Sequence, residues 1–286
     1  MSVINDFKGE KPTWCPGCGD YGVLNALQRT SVELGLDPEE MVVVSGIGCS
    51  GKLSAYFGSY GLHTIHGRSL PTAQGVKIAN RELTVIAAGG DGDGYGIGMG
   101  HFIHEMRRNV NITYIVMDNH IYGLTTGQTS PTSDTGFVTK TAPKGAVEHP
   151  VHPLQLALSA GASFIAQGFS GDIPQLSMLM KEAITHKGFS LLNIFSPCVT
   201  FNKQNTYEFY KSRIVKVSDE ESYDPTNKAM ALMKVIQEDA IYTGVIYKNE
   251  RSTYEEMAPN FSNAGLATLD HTLSDQELEQ LLLQFQ

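Results

Sequence analysis

Residues 83–96, LTVIAAGGDGDGYG, decide the fold of this chain. An apolar run of strand length, 83–88, leads into a glycine-rich turn, and a helix is predicted from about residue 94 to 109. The glycines let the backbone approach a ligand closely, and the helix N-terminus offers free N–H groups to a phosphate. The segment therefore predicts a phosphate site at the end of a buried strand.

The alternation of strand and helix continues on both sides of this segment. The other short apolar runs predict strands at 41–45, 112–117, 163–167 and 191–195, with helices near 21–35, 71–81, 152–160 and 172–187. These runs are largely unalternated, as expected for strands covered on both faces. We predict an α/β fold with a doubly wound, mostly parallel sheet. The irregular stretch 119–150 is long enough that a functional loop is expected.

A metal site is predicted where two neighbouring strands end. One crossover brings Asp91 and Asn119 to the same carboxyl edge of the sheet, where open α/β sheets bind ligands. The Asp91 carboxylate, the Asn119 amide oxygen and the Ile121 carbonyl offer three oxygens to a magnesium ion shared with a diphosphate. Taken alone, the GDG segment could be a glycine-rich turn with a capping Asp, and Asn119 could be an ordinary turn residue. Together, GDG at 90–92 and Asn119, 28 positions after Asp91, resemble the thiamine diphosphate motif.

All four cysteines are predicted to lie at the same edge. Cys15 and Cys18 form a CxxC with a Pro-Gly turn, and Cys49 and Cys198 each follow a predicted strand. Disulfides are disfavoured in a reducing compartment, which leaves inert thiols, a zinc ion or a [4Fe–4S] cluster. The cysteine pattern alone does not separate zinc from iron–sulfur. Beside thiamine diphosphate the cluster is favoured, because oxidative decarboxylation releases two electrons that zinc cannot accept.

The composition of the chain limits the classes of partner and the cellular location that are expected for it. There are 21 Lys and Arg against 30 Asp and Glu in 286 residues, a net charge of −9 that argues against nucleic-acid binding. No apolar run approaches the roughly 20 residues of a membrane span. The first ten residues lack the apolar core of a signal peptide, so a cytoplasmic location without membrane attachment is expected.

Six segments together resemble one family, the β subunits of the 2-oxoacid:ferredoxin oxidoreductases, with the 2-oxoglutarate type as the nearest likeness. They are WCPGCG (14–19), GIGCSGK (46–52), HTIHGR (63–68), GDGDGYGIG (90–98), MDNHIYGLTTGQ (117–128) and SPC (196–198). The resemblance covers roughly residues 10–215. It implies a thiamine diphosphate-binding domain with an iron–sulfur site over 1–215, and a C-terminal appendage or partner-interaction segment over 216–286. In that segment a helix is predicted near 226–237, a strand at 241–247 and a helix near 274–285.

The resemblance also implies roles for individual residues. The cluster ligands would be Cys15, Cys18, Cys49 and Cys198. The magnesium ligands would be Asp91, Asn119 and the Ile121 carbonyl, and the positions lining thiamine diphosphate would be Gly90, Asp91, Gly92, Asp93, Asn119, Ile121, Gly123 and Leu124. The catalytic or substrate-facing residues would be Lys52, His66, Leu124 and Thr126. Some members of the family carry Lys at the position of Thr126.

The family also implies partners. No Glu of this chain matches the carboxylate that activates thiamine diphosphate, and in the family that Glu comes from an α subunit in an αβ or (αβ)₂ assembly. The expected reaction is oxidative decarboxylation of a 2-oxoacid, with coenzyme A as acyl acceptor and ferredoxin as electron acceptor. A pyruvate- or branched-chain-specific member is the alternative within this class. From another class, the alternative is a zinc-stabilised binding subunit without redox activity.

Overall fold

One eight-stranded sheet forms the centre of the molecule. The computed structural model describes residues 2–237, 239–258, 265–268 and 272–285. The strands are β1 (Met41–Ser45), β2 (Tyr60–His63), β3 (Thr84–Gly90), β4 (Thr113–Asp118), β5 (Phe164–Phe169), β6 (Ser190–Phe195), β7 (Ile214–Lys216) and β8 (Ile241–Lys248). Their spatial order is β2-β1-β3-β4-β6-β5-β8-β7. Every neighbouring pair is parallel except β5 with β8.

Helices cover both faces of the sheet. In chain order they are α1 (Asp20–Glu33), α2 (Leu53–Tyr56), α3 (Ser69–Ala79), α4 (Met99–Arg108), α5 (Pro153–Ala160), α6 (Ile173–Thr185), α7 (Tyr207–Lys211), α8 (Lys228–Ile236), α9 (Tyr254–Met257) and α10 (Asp275–Leu283). One core layer packs α3, α4, α5 and α8 against the sheet, and the other packs α1, α2 and α6.

The two core layers explain why the strand sequences are unbroken apolar runs. In β1, Val42 and Val44 belong to one layer, whereas Met41 and Val43 belong to the other. Successive strand residues point to opposite faces, so a strand between two layers needs apolar residues at every position. The predicted α/β class with a mostly parallel sheet is confirmed.

Several details differ from the sequence prediction, which also missed the short helices α2, α7 and α9. The helix predicted over 94–109 is interrupted, because Gly92–Ile97 forms a wide turn in which Gly96 has non-helical φ/ψ, and α4 begins only at Met99. The short strands β2 and β7 were not predicted. All four residues of β2 are exposed at the sheet edge, so its sequence lacks the apolar run of a central strand.

The C-terminal segment contributes to the same sheet. The strand predicted at 241–247 is β8, which pairs antiparallel with β5. The helices predicted near 226–237 and 274–285 are α8 and α10. The division of the chain into two parts at residue 215 stays a prediction. The segment that follows residue 215 nevertheless belongs to the main sheet through the pairing of β8 with β5. In the described part of the chain, no helix has both the length and the apolarity to cross a membrane.

Candidate active site

The carboxyl ends of β1, β3 and β4 meet at a pocket of about 130 Å³. The strands are in register there: Ser45 lies beside Ala88 and Gly90 beside Met117. The residues that line the pocket are Asp20, Ile47, Gly48, Cys49, Ser50, His66, Gly90, Asp91, Gly92, Asp93, Met117, Asn119, Ile121, Tyr122, Gly123, Leu124 and Thr125. All eight residues that the sequence predicts for cofactor binding are in this set.

Asp91 follows β3 directly and is buried, with 2% of its surface exposed. Its Oδ2 lies 2.8 Å from the Thr132 hydroxyl, which also lies 2.9 Å from Oδ1 of Asp118 at the end of β4. The pKa of Asp91 is raised to about 7, first by burial and then by the neighbouring Asp118 charge, while Ser130 and Thr132 act in the opposite direction. A buried carboxylate of this kind is stabilised in its charged form by a bound cation.

The predicted oxygen donors after β4 are held by a tight turn. The Ile121 backbone N–H donates to Asn119 Oδ1 at 3.1 Å, and Asn202 Nδ2 donates to the Asn119 carbonyl at 3.1 Å. Between them His120 has a φ of +58°, a left-handed conformation uncommon outside glycine. Asp91, Asn119 and Ile121 thus line one pocket, and a carboxylate, an amide and a carbonyl oxygen from these residues would make the donor set of a hard cation such as magnesium.

Asp93 joins two loops at the mouth of the pocket. Its Oδ1 accepts from the backbone N–H of Ile47 at 2.9 Å and of Gly67 at 2.8 Å, and lies 2.6 Å from Nδ1 of His66. A side chain at Gly46 would collide with its Oδ2, because a Cβ there would lie 1.9 Å away. Asp93 therefore connects the loop after β1 with the loop before α3 by hydrogen bonds, and it fixes the position of His66 at the pocket.

The first two cysteines are brought together by their Pro-Gly turn. The Cys18 N–H donates to the Cys15 carbonyl at 3.0 Å, and Gly17 between them has a φ of +83°. A glycine is required there because a side chain is strained at positive φ. Cys15 is exposed and Cys18 is half-buried, so the pair lies at the surface end of the site.

Two hydrogen bonds bring the other two cysteines to this turn. Trp14 Nε1 donates to the Cys49 carbonyl at 2.8 Å, and the Gly19 N–H donates to the Pro197 carbonyl at 3.1 Å. A Cβ on Gly123 would lie 3.4 Å from Cys198 Sγ and 3.7 Å from Cys49 Sγ. Two of the thiols therefore adjoin the wall of the pocket that holds Asn119 and Ile121.

The four thiols also share one electrostatic environment. Burial raises the pKa of Cys49 to about 12, with smaller increases from Asp20, Cys198 and Cys15. Burial also raises the pKa of Cys18 well above its usual range, with further increases from Asp20, Cys49 and Cys198. Over the residues that the structure describes, no three His, Cys, Asp or Glu side chains are close enough to bind a single metal ion.

Two of the four residues predicted to be catalytic or substrate-facing lie outside the pocket lining. Lys52 Nζ donates to Thr13 Oγ1 at 3.2 Å, next to the CxxC turn, and its charge lowers the pKa of Cys49. Thr126 is exposed and has a φ of +77°. A β-branched residue in that conformation is strained. Leu124, half exposed, and His66 do line the pocket, and the catalytic roles of all four residues stay predictions.

Several residues of the site were not predicted from the sequence. Asp20 is 1% exposed, accepts from Ser196 Oγ at 2.6 Å, and lines the pocket beside Cys18 and Cys49. Burial raises its pKa to about 6. Its position two residues after Cys18 was an available signal. Thr132 offered no signal, because only the path of the 119–150 loop brings it to Asp91.

The chain is similar to proteins of one family over most of its length. Residues 46–194 match the C-terminal thiamine pyrophosphate-binding domain of thiamine pyrophosphate enzymes, and residues 198–263 match the C-terminal region of the pyruvate ferredoxin oxidoreductase β subunit. The 2-oxoacid:ferredoxin oxidoreductase subunit β of Saccharolobus solfataricus is 44% identical over 262 residues, which cover 87% of this chain and 86% of that protein.

Two further relatives carry 2-oxoglutarate in their names. The 2-oxoglutarate oxidoreductase subunit KorB of Mycobacterium tuberculosis is 42% identical over 217 residues, 74% of this chain and 58% of that protein. The structure of 2-oxoglutarate:ferredoxin oxidoreductase from Magnetococcus marinus, with 2-oxoglutarate, coenzyme A and succinyl-CoA bound, superimposes with a TM-score of 0.86 at 42% identity. The alignment covers 88% of this chain and 87% of that one. The chain therefore belongs to the β subunits of the 2-oxoacid:ferredoxin oxidoreductases.

Proposed function

We propose that this β subunit, together with an α subunit, oxidatively decarboxylates 2-oxoglutarate with coenzyme A, using thiamine diphosphate, magnesium and a [4Fe–4S] cluster, and delivers the electrons to ferredoxin. One observation carries the proposal. Gly123 lies between the pocket that holds the predicted oxygen donors and the Cys49 and Cys198 thiols. It is the one residue between them, and it has no side chain. An organic cofactor and an electron acceptor bound at these two places would be close neighbours.

The pocket fits a magnesium diphosphate group. Asp91, Asn119 and the Ile121 carbonyl would hold the ion, and the turn Gly90–Gly92 would let the diphosphate approach the backbone. Burial and the neighbouring Asp118 charge raise the pKa of Asp91, and a bound cation would favour its ionised form. The all-oxygen donor set suits magnesium better than a softer transition metal.

The thiols fit a cluster better than a zinc ion. Zinc holds its four sulfurs at about 2.3 Å in one tetrahedron, whereas in a [4Fe–4S] cluster each sulfur binds a different iron and the sulfurs stand farther apart. Cys15, Cys18, Cys49 and Cys198 influence one another electrostatically, and a zinc ion bound by them could not accept the electrons that oxidative decarboxylation releases. When bound, thiamine diphosphate would supply the carbanion chemistry of decarboxylation and the cluster would accept electrons singly.

The residues of this chain would bind and orient the reactants. His66, held by Asp93, would face the diphosphate or the substrate, and Leu124 would contribute an apolar wall. The neighbouring segment 124–128 is tied by bonds from the Thr126 N–H to the Gly123 carbonyl at 3.1 Å and from the Gly127 N–H to the Tyr122 carbonyl at 2.9 Å. Thr126 is thereby kept in its strained conformation beside the pocket, where the distal group of the oxoacid would lie.

An α subunit would complete the site. Among the described residues that line the pocket there is no glutamate, although a carboxylate must activate the aminopyrimidine of thiamine diphosphate. The naming of the relatives as β subunits supports a partner chain. The isolated β subunit should therefore bind a cluster but release no carbon dioxide from any 2-oxoacid.

The substrate assignment follows the relatives whose names include 2-oxoglutarate and the bound ligands of the Magnetococcus marinus structure. The test is a panel of 2-oxoglutarate, pyruvate and a branched-chain oxoacid on the anaerobically co-expressed αβ complex, with a low-potential viologen as acceptor. We expect the largest kcat/KM for 2-oxoglutarate. A preference for pyruvate would contradict the substrate assignment. A colourless complex that contains stoichiometric zinc would contradict the redox function and would support the alternative of a zinc-stabilised binding subunit.

A further inference from the structure

Thr132 lies between two buried carboxylates, that of Asp91 directly after β3 and that of Asp118 at the end of β4. Its hydroxyl oxygen lies 2.8 Å from Asp91 Oδ2 and 2.9 Å from Asp118 Oδ1, although the three residues are 41 and 14 positions apart in sequence. All three are almost completely buried, with 3%, 2% and 2% of their surfaces exposed. A buried hydrogen bond to a carboxylate is among the stronger ones, because water does not compete for it.

The same stretch of loop also holds the turn after β4. His120 Nδ1 donates to the Thr132 carbonyl at 2.7 Å, and Ser133 Oγ donates to the His120 carbonyl at 2.7 Å. Ser133 is in turn fixed by the Ser130 N–H, which donates to its hydroxyl at 2.8 Å. Residues 130–133 therefore contact both ends of the predicted magnesium site: the carboxylate of Asp91 and the turn that presents Asn119 and Ile121.

We propose that Thr132 is a positioning residue for the divalent cation, an inference that rests on the proposed function of the pocket. The single hydroxyl proton serves one of the two carboxylates at a time, and when it is donated to Asp91 Oδ2 it restricts the rotation of that metal-binding carboxylate. By binding His120 through its carbonyl, the same residue holds the turn that carries the other two donors. Partners that orient metal ligands in this way typically contribute about 10- to 100-fold to metal affinity.

The test measures the dissociation constant of Mn²⁺, in place of magnesium, on the αβ complex with thiamine diphosphate, by electron paramagnetic resonance of the free ion. Thr132→Val keeps the shape of the side chain but removes the hydroxyl, and we expect Mn²⁺ to bind about 10- to 100-fold more weakly. Thr132→Ser restores the hydroxyl and should bind within about threefold of the wild type. Thr141→Val, at an exposed position of the same loop, is the matched control and should leave the constant unchanged.

Unchanged Mn²⁺ affinity in Thr132→Val would overturn the positioning role, as would equal losses in Thr132→Val and Thr132→Ser. If Thr132→Val does not assemble with the α subunit, Thr132→Cys takes its place. Its weak S–H donor should give an intermediate loss, and wild-type affinity would again overturn the inference. A wild-type complex that binds no Mn²⁺ with thiamine diphosphate would instead contradict the proposed function.

Discussion

The oxygen-donor half and the thiol half of the site are built from the chain in different ways. Asp91 and Asn119 come from the ends of two adjacent strands joined by one helix. The four cysteines come from three distant segments, before α1, after β1 and after β6. The first half needs only one strand–helix–strand unit to form, whereas the second needs the sheet assembled from β1 to β6. Substitutions in the two halves should therefore have separable effects, except at the contacts that join them.

The largest effect is expected at Asp91. In the αβ complex, Asp91→Asn removes the only carboxylate of the predicted magnesium set. We expect loss of metal-dependent thiamine diphosphate binding, seen by calorimetry, and loss of both carbon dioxide release and viologen reduction. Iron content should stay at the wild-type level, because the thiols are untouched. Asp219→Asn, an exposed site, is the control. Wild-type cofactor affinity in Asp91→Asn would show that the metal binds elsewhere.

Cys198→Ser should affect the thiol half alone. Cys198 is the buried member of the four and adjoins Gly123, so its loss should remove the visible absorption that bleaches with dithionite. Viologen reduction should fall to background. Thiamine diphosphate affinity, measured with magnesium by calorimetry, should stay within about threefold of the wild type, because no oxygen donor changes. If cofactor affinity falls together with the iron content, the two halves are not separable.

Gly46→Ala should damage both halves together. Gly46 begins the loop that carries Cys49, and a Cβ there would lie 1.9 Å from Oδ2 of Asp93 in the glycine-rich turn. The overlap should cost about 1 to 3 kcal/mol, visible as a lower melting temperature of the complex. Thiamine diphosphate affinity and iron content should decline in parallel. Gly100→Ala is the matched control, since nothing lies within 4 Å of its added Cβ. A normal Gly46→Ala protein would mean that Asp93 does not join the halves.

The smallest effect concerns the scaffold rather than either half. Burial raises the pKa of Glu105 in α4 to about 7 from an ordinary 4.5. The folded state therefore favours the protonated acid, and its stabilising contribution is present below about pH 4.5 and is lost as the pH rises to about 7. The free energy of unfolding of Glu105→Gln, taken relative to that of the wild type, should therefore be higher at pH 8 than at pH 5. The increase should be up to roughly 3 kcal/mol.

This stability difference is measured by melting the αβ complex of the wild type and of Glu105→Gln at both pH values. Iron content and thiamine diphosphate affinity should not change. Glu208→Gln, at an exposed position of α7, should show no such pH dependence. A difference between Glu105→Gln and the wild type that is independent of pH would show that Glu105 is ionised in the folded protein.

Much of the fold was predictable because the central strands lie between two helical layers. Val42 to Val44 are apolar on both faces for that reason, and the same holds in β3 and β4. The edge strand β2 was not predictable, since its exposed side chains carry no such pattern. The wide turn before α4 was also missed, because helical periodicity does not show the unusual backbone conformation of Gly96.

The candidate site divides in the same way. The sequence alone determined that the oxygen donors meet at one sheet edge, since parallel strands linked by one helix must end side by side. It also determined the family, because the segments around the cysteines and the GDG turn occur together. Only the tertiary structure decided that Thr132 bridges Asp91 and Asp118, that Asp20 lies beside the thiols, and that Lys52 contacts Thr13 rather than the pocket. These contacts depend on how long loops fold back, and no sequence period encodes the path of an irregular loop.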